Sequence, residues 1–152
     1  MGLPPVRGKD DPMLVHGACH CGAVRFTAEI DPTRVVVCHC TDCQVMSGGP
    51  FRVSSPAPMD SVTLEGRTKS HLKTADSGNR RAMVFCPECG THLWATQAEN
   101  PTLAMIRLGC VQERAALPPT LQIWMHSAMP WLDTMASVPG VPGQPTAPPP
   151  AR

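Results

Sequence analysis

The sequence has few aromatic residues and almost no net charge. It contains no tyrosine, three phenylalanines and three tryptophans, and its 13 basic side chains against 12 acidic ones give a formal charge of +1. A nearly neutral chain has no electrostatic field that would attract nucleic acid or an anionic membrane surface. We therefore expect neither nucleic acid nor a membrane as a partner, and we interpret the basic run GRTKSHLK as a solvated face.

Long apolar runs are also absent. No segment approaches the ~18 consecutive apolar residues that span a bilayer, and the N-terminus lacks the apolar region that follows basic residues in a secretory signal. We expect a cytoplasmic protein, and in that compartment thiols stay reduced. The eight cysteines therefore indicate metal binding rather than disulfides.

Proline is abundant, with 18 residues, many of them near the ends of the chain. The final stretch, SVPGVPGQPTAPPPAR, lacks hydrophobic periodicity, and its prolines cannot donate hydrogen bonds to a sheet. We predict a flexible N-terminus over residues 1–12, one folded domain over residues 13–136, and a proline-rich, disordered tail over residues 137–152.

Short extended segments, separated by Pro, Gly, Asp or Asn, fill the predicted domain. The segment AVRFTAEI alternates apolar and polar residues, which gives one face of a strand the side chains of Val24, Phe26, Ala28 and Ile30. Residues 100–119 are ambiguous between strand and helix, and we favour a strand followed by a loop. Thr41 is placed to cap a single helical turn that ends at Gly48 and Gly49. The pattern predicts a mainly β, antiparallel domain with a few short helical turns.

Seven of the eight cysteines fall into three clusters with the spacing of metal ligands: Cys19 and Cys21; Cys38, Cys40 and Cys43; Cys86 and Cys89. In an extended chain, residues i and i+2 project to the same side, so each Cys-x-Cys can offer two sulfurs to one ion. The motif FCPECGTHLW is typical of a zinc knuckle, in which the glycine permits a left-handed turn. A knuckle supplies two ligands, and the natural second pair is Cys19 and Cys21, which gives a closed four-cysteine site.

Cys38, Cys40 and Cys43 are then left as a group of three. Closed structural zinc sites have four protein ligands, whereas catalytic sites have three and keep one position open. The fourth ligand is therefore either an exogenous molecule or a remote side chain, with Cys110, His39, His71 and His126 as candidates. We expect His39 to face the other side of its strand and Cys110 to be a buried, apolar-type residue. Spacing alone supports the open and the completed site equally.

Four motifs in this order resemble the glutathione-dependent formaldehyde-activating enzyme family, which includes centromere protein V relatives: GACHCGAVRFTA, CHCTDCQVMSGGPF, FCPECGTHLW and QIWMHSAMPWLD. The resemblance covers residues 14 to about 135. It implies a zinc-clipped antiparallel β-tent with two zinc ions per chain. It also implies that Cys19, Cys21, Cys86 and Cys89 hold a structural ion, and that Cys38, Cys40 and Cys43 hold a second, catalytic ion with an open fourth place. The SGGPF and Pro130-Trp131 stretches match the family pattern without an assignable chemical role.

The activity implied by the resemblance is that of a carbon–sulfur lyase acting on S-(hydroxymethyl)glutathione, on glutathione plus formaldehyde, or on a related small thiol adduct. A thiol is deprotonated on binding Zn²⁺, and a site that already holds three thiolates suits a soft sulfur ligand better than an activated hydroxide. The carboxylates of glutathione call for an arginine clamp, for which the candidates are Arg52, Lys73, Arg80 and Arg81, although plain solvated charge also explains them. His20, His39 and His92 neighbour the thiolates and can act as general bases or support the sulfurs.

A function of another class is also open. The same fold without a catalytic ion would be a non-catalytic, zinc-stabilised β module that binds a protein partner. The number of zinc ions and the lability of the second ion distinguish the two.

Overall fold

The computed structural model describes residues 11–145, so the predictions for residues 1–10 and 146–152 lie outside the described residues. The described chain forms strands β1 Met13–Ala18, β2 Arg25–Ile30, β3 Val36–Cys38, β4 Arg52–Pro58, β5 Thr63–Glu65, β6 Lys69–Thr74, β7 Arg80–Phe85, β8 His92–Gln97, β9 Leu103–Arg107 and β10 Leu121–Ile123, with helix α1 at Thr41–Ser47. Short 3-10 helices lie at Met59–Ser61, Leu108–Cys110, Gln112–Ala116, Met125–Ser127 and Leu132–Ser137. The prediction of a mainly β domain is confirmed. In residues 100–119 the strand is present, and two 3-10 helices occupy much of the predicted loop.

The strands form two sheets. The smaller sheet has the order β1-β2-β5, and the larger has the order β10-β3-β4-β9-β8-β7-β6. Neighbouring strands are antiparallel except for β10 and β3, which run parallel with Ile123 opposite Cys38. This one pair departs from the predicted antiparallel arrangement, because a parallel pairing depends on the long-range path of the chain rather than on local residue patterns.

The hydrophobic core lies between the two sheets. The side chains predicted to share one face, Val24, Phe26, Ala28 and Ile30, are all buried. They belong to the same hydrophobic cluster as residues of the larger sheet, such as Leu93, Trp94 and Ile106. The rings of Phe26 and Trp94 meet edge to face, with centroids 5.5 Å apart. Opposite Phe26 on β1 is Gly17, where a Cβ would lie 2.0 Å from the ring. Glycine is therefore required there, and it lets the first strand close over the aromatic pair.

The opposite face of the larger sheet carries the polar and sulfur-bearing side chains. Cys38 on β3 is opposite Arg52 on β4, and Ser54 on β4 is opposite Arg107 on β9. Because side chains alternate between faces, the register that buries Ile106 turns Arg107 away from the core. No helix among the described residues has the length and apolar character needed to cross a bilayer.

Candidate metal centres and the adjoining cavity

The first candidate centre contains four cysteines from two distant turns. The Sγ atoms of Cys19, Cys21, Cys86 and Cys89 all lie within 4.8 Å of one another. The Cys19 and Cys21 sulfurs are 3.6 Å apart, and those of Cys21 and Cys86 are 3.8 Å apart. Tetrahedral zinc with Zn–S bonds of about 2.3 Å requires sulfurs about 3.8 Å apart. The donor set thus fits a closed zinc site, and we refer to it as the four-cysteine cluster.

Backbone geometry and hydrogen bonds arrange these sulfurs. Each turn contains a left-handed glycine, Gly22 with φ 79° and Gly90 with φ 74°, as the sequence predicts. The Val24 N–H donates to the Cys19 Sγ at 3.2 Å. Thr91 hydrogen-bonds to Cys89 through its side chain at 3.2 Å and lowers the pKa of Cys89 to about 5. The cluster clips the β1–β2 turn to the β7–β8 turn, which joins the two sheets.

The second candidate centre is the sulfur trio Cys38, Cys40 and Cys43, whose Sγ atoms also lie within 4.8 Å of one another. Cys38 ends β3, Cys40 is the N-cap of α1, and Cys43 lies in its first turn. The Cys40 Sγ accepts a hydrogen bond from the Cys43 N–H at 3.3 Å. The prediction of Thr41 as the cap is therefore wrong by one residue, because the thiol takes the capping role. The helix ends at Gly48 with φ 66°, as predicted.

The electrostatics of the trio favour a bound cation. Burial, followed by hydrogen bonds with Cys40 and Cys38, raises the pKa of Cys43 to about 12, and burial also raises that of Cys38. Burial opposes ionisation of Cys40 as well, but the Cys43 N–H lowers its pKa overall. Three neighbouring sulfurs cannot all be thiolates unless a cation neutralises them. A thiophilic divalent ion such as zinc fits this donor set.

Within the described part of the chain, the trio has no fourth protein donor. Among residues 11–145, no further histidine, cysteine, aspartate or glutamate lies close enough to the three sulfurs to share an ion with all of them. The half-buried Cys110 thiol instead donates to the Arg107 carbonyl oxygen at 3.1 Å. His39 is buried, and its Nε2 lies 2.9 Å from the Gln122 Oε1.

The two remaining candidates for the fourth position also lie apart from the sulfurs. His71 is exposed on β6. His126 lines the cavity beside the trio without joining the group. The geometry therefore presents three sulfurs with one side open.

A cavity of about 720 Å³ adjoins the trio, a volume typical of sites for small molecules. The trio forms part of its wall, and the polar face of the larger sheet forms the floor. Side chains from seven strands, α1 and two loops line it, among them Arg52, Ser54, Lys73, Arg81, Met83, Met105, Arg107, Trp124 and His126.

Three of the four basic residues predicted as a clamp line this cavity. Arg52 is only 6% exposed, Arg81 lies further along the floor, and Lys73 forms an ion pair with Asp42. Arg80 is not among the lining residues; it pairs with Glu99.

Arg107 was not predicted, although it also lines the cavity. Its Nη1 donates to the Ser54 Oγ at 2.7 Å, and its Nη2 approaches the Met83 sulfur at 3.7 Å. Burial, followed by the positive charge of Arg52, lowers the pKa of Arg107 to about 9. The available signal was a lone arginine on the non-core face of the apolar strand LAMIR.

None of the histidines predicted as bases, His20, His39 and His92, lines the cavity. Burial lowers the pKa of His92, and the charges of Arg52 and Arg107 add to this effect. The imidazole that lines the cavity is that of His126, whose ring is 5.4 Å from the Trp124 ring.

The rim loop, residues 124–127, is fastened to α1. The Gln44 Nε2 donates to the carbonyl oxygens of His39 and Ser127, each at 2.8 Å. The Ser127 Oγ also donates to the His39 carbonyl oxygen at 3.0 Å. Trp124 enters this loop with a left-handed φ of 59°, which is rare for a bulky residue. These bonds hold Trp124 and His126 at the mouth of the cavity.

The SGGPF stretch shapes the other side of α1. The Ser47 Oγ donates to the carbonyl oxygens of Cys43 at 2.6 Å and of Phe51 at 3.2 Å. The Phe51 ring meets the His39 ring edge to face, with centroids 5.6 Å apart. These contacts give the stretch a structural role in holding the loop that follows the trio.

The chain is similar to known proteins in sequence and in fold. The model of the glutathione-dependent formaldehyde-activating enzyme family matches residues 14–127. A Halomonas elongata protein, provisionally named a glutathione-dependent formaldehyde-activating enzyme, is 25% identical over 130 residues, which cover 80% of this chain and 81% of that protein. An uncharacterised lyase of Schizosaccharomyces pombe is 30% identical over 87 residues, which cover 56% of this chain and 61% of that protein.

The crystal structure of a Rhodobacter sphaeroides protein superposes with a TM-score of 0.55 at 19% identity, covering 70% of this chain and 98% of the other. At that identity the likeness concerns the fold alone. The family match, in contrast, includes all seven cysteines of the four-cysteine cluster and the trio. The chain belongs to the glutathione-dependent formaldehyde-activating enzyme family.

Proposed function

We propose that the protein is a zinc-dependent carbon–sulfur lyase that catalyses the reversible addition of glutathione, or of a related small thiol, to formaldehyde. The observation that carries the proposal is the sulfur trio, which has no fourth protein donor among residues 11–145 and lies in the wall of a cavity of about 720 Å³. The family of the chain and the names of its relatives support the same reaction.

The two candidate centres have different roles in this proposal. Cys19, Cys21, Cys86 and Cys89 would hold a structural zinc ion, because four sulfurs complete a tetrahedral site and join the two sheets. Cys38, Cys40 and Cys43 would hold a second zinc ion with one position for substrate. Both sites require reduced cysteines, which agrees with a cytoplasmic location.

The proposed reaction is the addition of a thiol to the carbonyl group of formaldehyde. Zinc in the trio would lower the pKa of a substrate thiol and hold its sulfur as a thiolate. In the forward direction a bond forms between that sulfur and the formaldehyde carbon, the C=O π bond breaks, and the thiol proton ends on the new hydroxyl oxygen. The cavity walls would hold the two reactants side by side. Holding them together makes a bimolecular step effectively unimolecular, which accelerates it.

We assign the proton transfer to His126. It is the imidazole among the cavity-lining side chains, and it is exposed, so a proton can pass to and from water. His20, His39 and His92 are not assigned this role, because none of them lines the cavity.

Cobalt substitution tests the proposal. Co²⁺-loaded protein titrated with glutathione should show an increased thiolate-to-cobalt absorption, and Cys43→Ser should abolish it. Cys110→Ser is the matched control, because Cys110 is a half-buried cysteine outside both groups. Exchange NMR should show faster interconversion of glutathione, formaldehyde and their adduct in the presence of the zinc protein.

A negative result in both measurements would reject the proposed lyase. A trio that binds its ion without any spectral response to thiols, together with no acceleration of the interconversion, would reject the lyase. That result would favour the non-catalytic, zinc-stabilised β module.

A further inference from the structure

The floor of the cavity contains cationic hydrogen-bond donors without partners. The Nη2 of Arg52 and the Nε of Arg107 are both buried and make no hydrogen bond among the described residues. The Arg52 guanidinium forms no hydrogen bond or ion pair of any kind within residues 11–145, although the residue is 94% buried, the complement of its 6% exposure. A buried charge without a counter-ion is costly, so such groups are usually paired.

The register of the sheet places these two arginines close together and beside the trio. Arg107 on β9 is opposite Ser54, and Arg52 is two residues before Ser54 on the same face of β4. The two are therefore diagonal neighbours, which are about 7–8 Å apart. Arg52 is in turn opposite Cys38 on β3. Adjacent strands are about 4.8 Å apart, so an anion held between the two guanidiniums would lie roughly 5–10 Å from the sulfurs.

The two arginines have no carboxylate partner among the described side chains. In the part of the chain that the structure describes, no aspartate or glutamate oxygen lies within 4.0 Å of either guanidinium. The acidic side chains that line the cavity are Asp42, which is paired with Lys73, and Asp76. Among the hydrogen bonds of the described residues, neither guanidinium donates to a sulfur of the trio; Arg107 donates to Ser54 and approaches Met83 instead.

We propose that Arg52 and Arg107 form the subsite that binds a carboxylate of the thiol substrate, and that these two residues make the cavity selective for thiols that carry one. This inference rests on the proposed function, because it takes a thiol as the substrate. Planar guanidinium groups match carboxylates through paired N–H donors. A substrate bound with its sulfur at the trio would place its carboxylate on the unpartnered donors, and neutral thiols or free aldehydes would lack that contact.

The competing explanation is that the arginines only balance the negative charge of the trio. Their charges do reach it, since Arg52 lowers the pKa of Cys43 and the Cys43 charge raises that of Arg107, effects smaller than that of burial in each case. The two explanations predict different losses. Charge balance predicts weaker zinc binding in arginine variants, whereas a subsite predicts weaker binding of carboxylates at unchanged zinc affinity.

The first experiment compares glutathione with its diethyl ester, using cobalt-loaded protein and the thiolate absorption as the readout. We expect glutathione to bind about 10- to 100-fold more tightly than the ester. Arg52→Met and Arg107→Met should each bring that ratio close to one. Arg80→Met is the matched control, because Arg80 is an exposed arginine outside the cavity, and it should leave the ratio unchanged. Zinc affinity of each variant is measured by competition with a chelator.

The second experiment removes the thiol from the comparison. S-methylglutathione has a blocked sulfur but keeps both carboxylates, so calorimetry with this compound reports the subsite alone. We expect measurable binding that either arginine variant weakens by at least about 10-fold.

The outcomes separate the subsite from the lyase. A ratio near one in the wild type, a ratio that survives in both arginine variants, or a loss of zinc affinity without a change in the ratio would overturn the subsite and leave the lyase intact. Arginine-dependent binding of S-methylglutathione without any thiolate absorption would support the subsite and reject the lyase. Absence of both signals would overturn both.

Discussion

Cys40 has two roles in the structure, and two substitutions separate them. Its Sγ belongs to the sulfur trio, and the same atom accepts the Cys43 N–H at 3.3 Å as the N-cap of α1. Serine at an N-cap preserves this hydrogen bond, whereas alanine removes it. We predict that Cys40→Ser and Cys40→Ala both lose the second metal ion but differ in the stability of the domain.

The expected difference in stability between the two variants depends on how little α1 is packed against the rest of the domain. α1 has seven residues, and none of them is buried, so packing compensates little for a lost cap. Exchanging serine for alanine at an N-cap costs about 1 kcal/mol. In a domain of this size the melting temperatures of the two variants should therefore differ by about 3 °C. The loss of zinc affinity should exceed the ~100-fold that accompanies loss of an outer-shell partner.

The assay combines metal content with thermal unfolding. After dialysis, elemental analysis should find two ions per chain in the wild type and in Cys110→Ser, and one ion in each Cys40 variant. Circular dichroism should then show that Cys40→Ser melts at the higher temperature of the two single-ion variants. Retention of two ions by both Cys40 variants would refute the second metal site, and identical melting temperatures would refute the capping role of the thiol.

Three further predictions concern the rest of the domain. Gly17→Ala should lower the free energy of unfolding in urea by about 1–3 kcal/mol, because its Cβ would lie 2.0 Å from the Phe26 ring; a neutral effect would contradict the contact between the two strands. Arg107→Met should leave the free energy of unfolding unchanged or raise it by about 1 kcal/mol, since it removes a buried charge that lacks a counter-ion, and a clear destabilisation would contradict this. Burial raises the pKa of Glu113, but hydrogen bonds from His16 lower it below its ordinary value of 4.5 overall. The stabilisation by Glu113 is thus complete above pH 4.5 and is lost as the pH falls through the lowered pKa, so Glu113→Ala should be less stable than wild type by at most about 1 kcal/mol at pH 7, and a difference that persists in strong acid would contradict this.

The two groups of cysteines could be predicted because the spacing that metal binding requires restricts the local sequence. Two sulfurs reach one ion only at a few spacings, and the turn between them needs a left-handed residue, which Gly22 and Gly90 supply. The buried face of β2 was also readable, since alternation of apolar residues is a local property.

The cavity could not be predicted, because its residues come together only through the register of distant strands. Arg107 is 55 positions from Arg52 in the sequence, and only the pairing of β4 with β9 makes them diagonal neighbours. The parallel pairing of β10 with β3 likewise depends on the path of the whole chain, and it brings His126 to the mouth of the cavity. Capping by Cys40 could not be predicted, because threonine is a common N-cap residue and cysteine is not. Thr41, the next residue, was therefore the better candidate from sequence.

The Gln44 side chain connects the entrance of the cavity to the helix that carries Cys43. Its single amide group holds both the backbone beside the trio and the backbone of residues 124–127, and it comes directly after Cys43 in the sequence. Gln44 thus links the backbone at the entrance of the cavity to the backbone beside the sulfurs. A widening of the entrance would require either that these amide hydrogen bonds break or that α1 tilts. In the second case the Cys43 sulfur would be displaced together with the entrance.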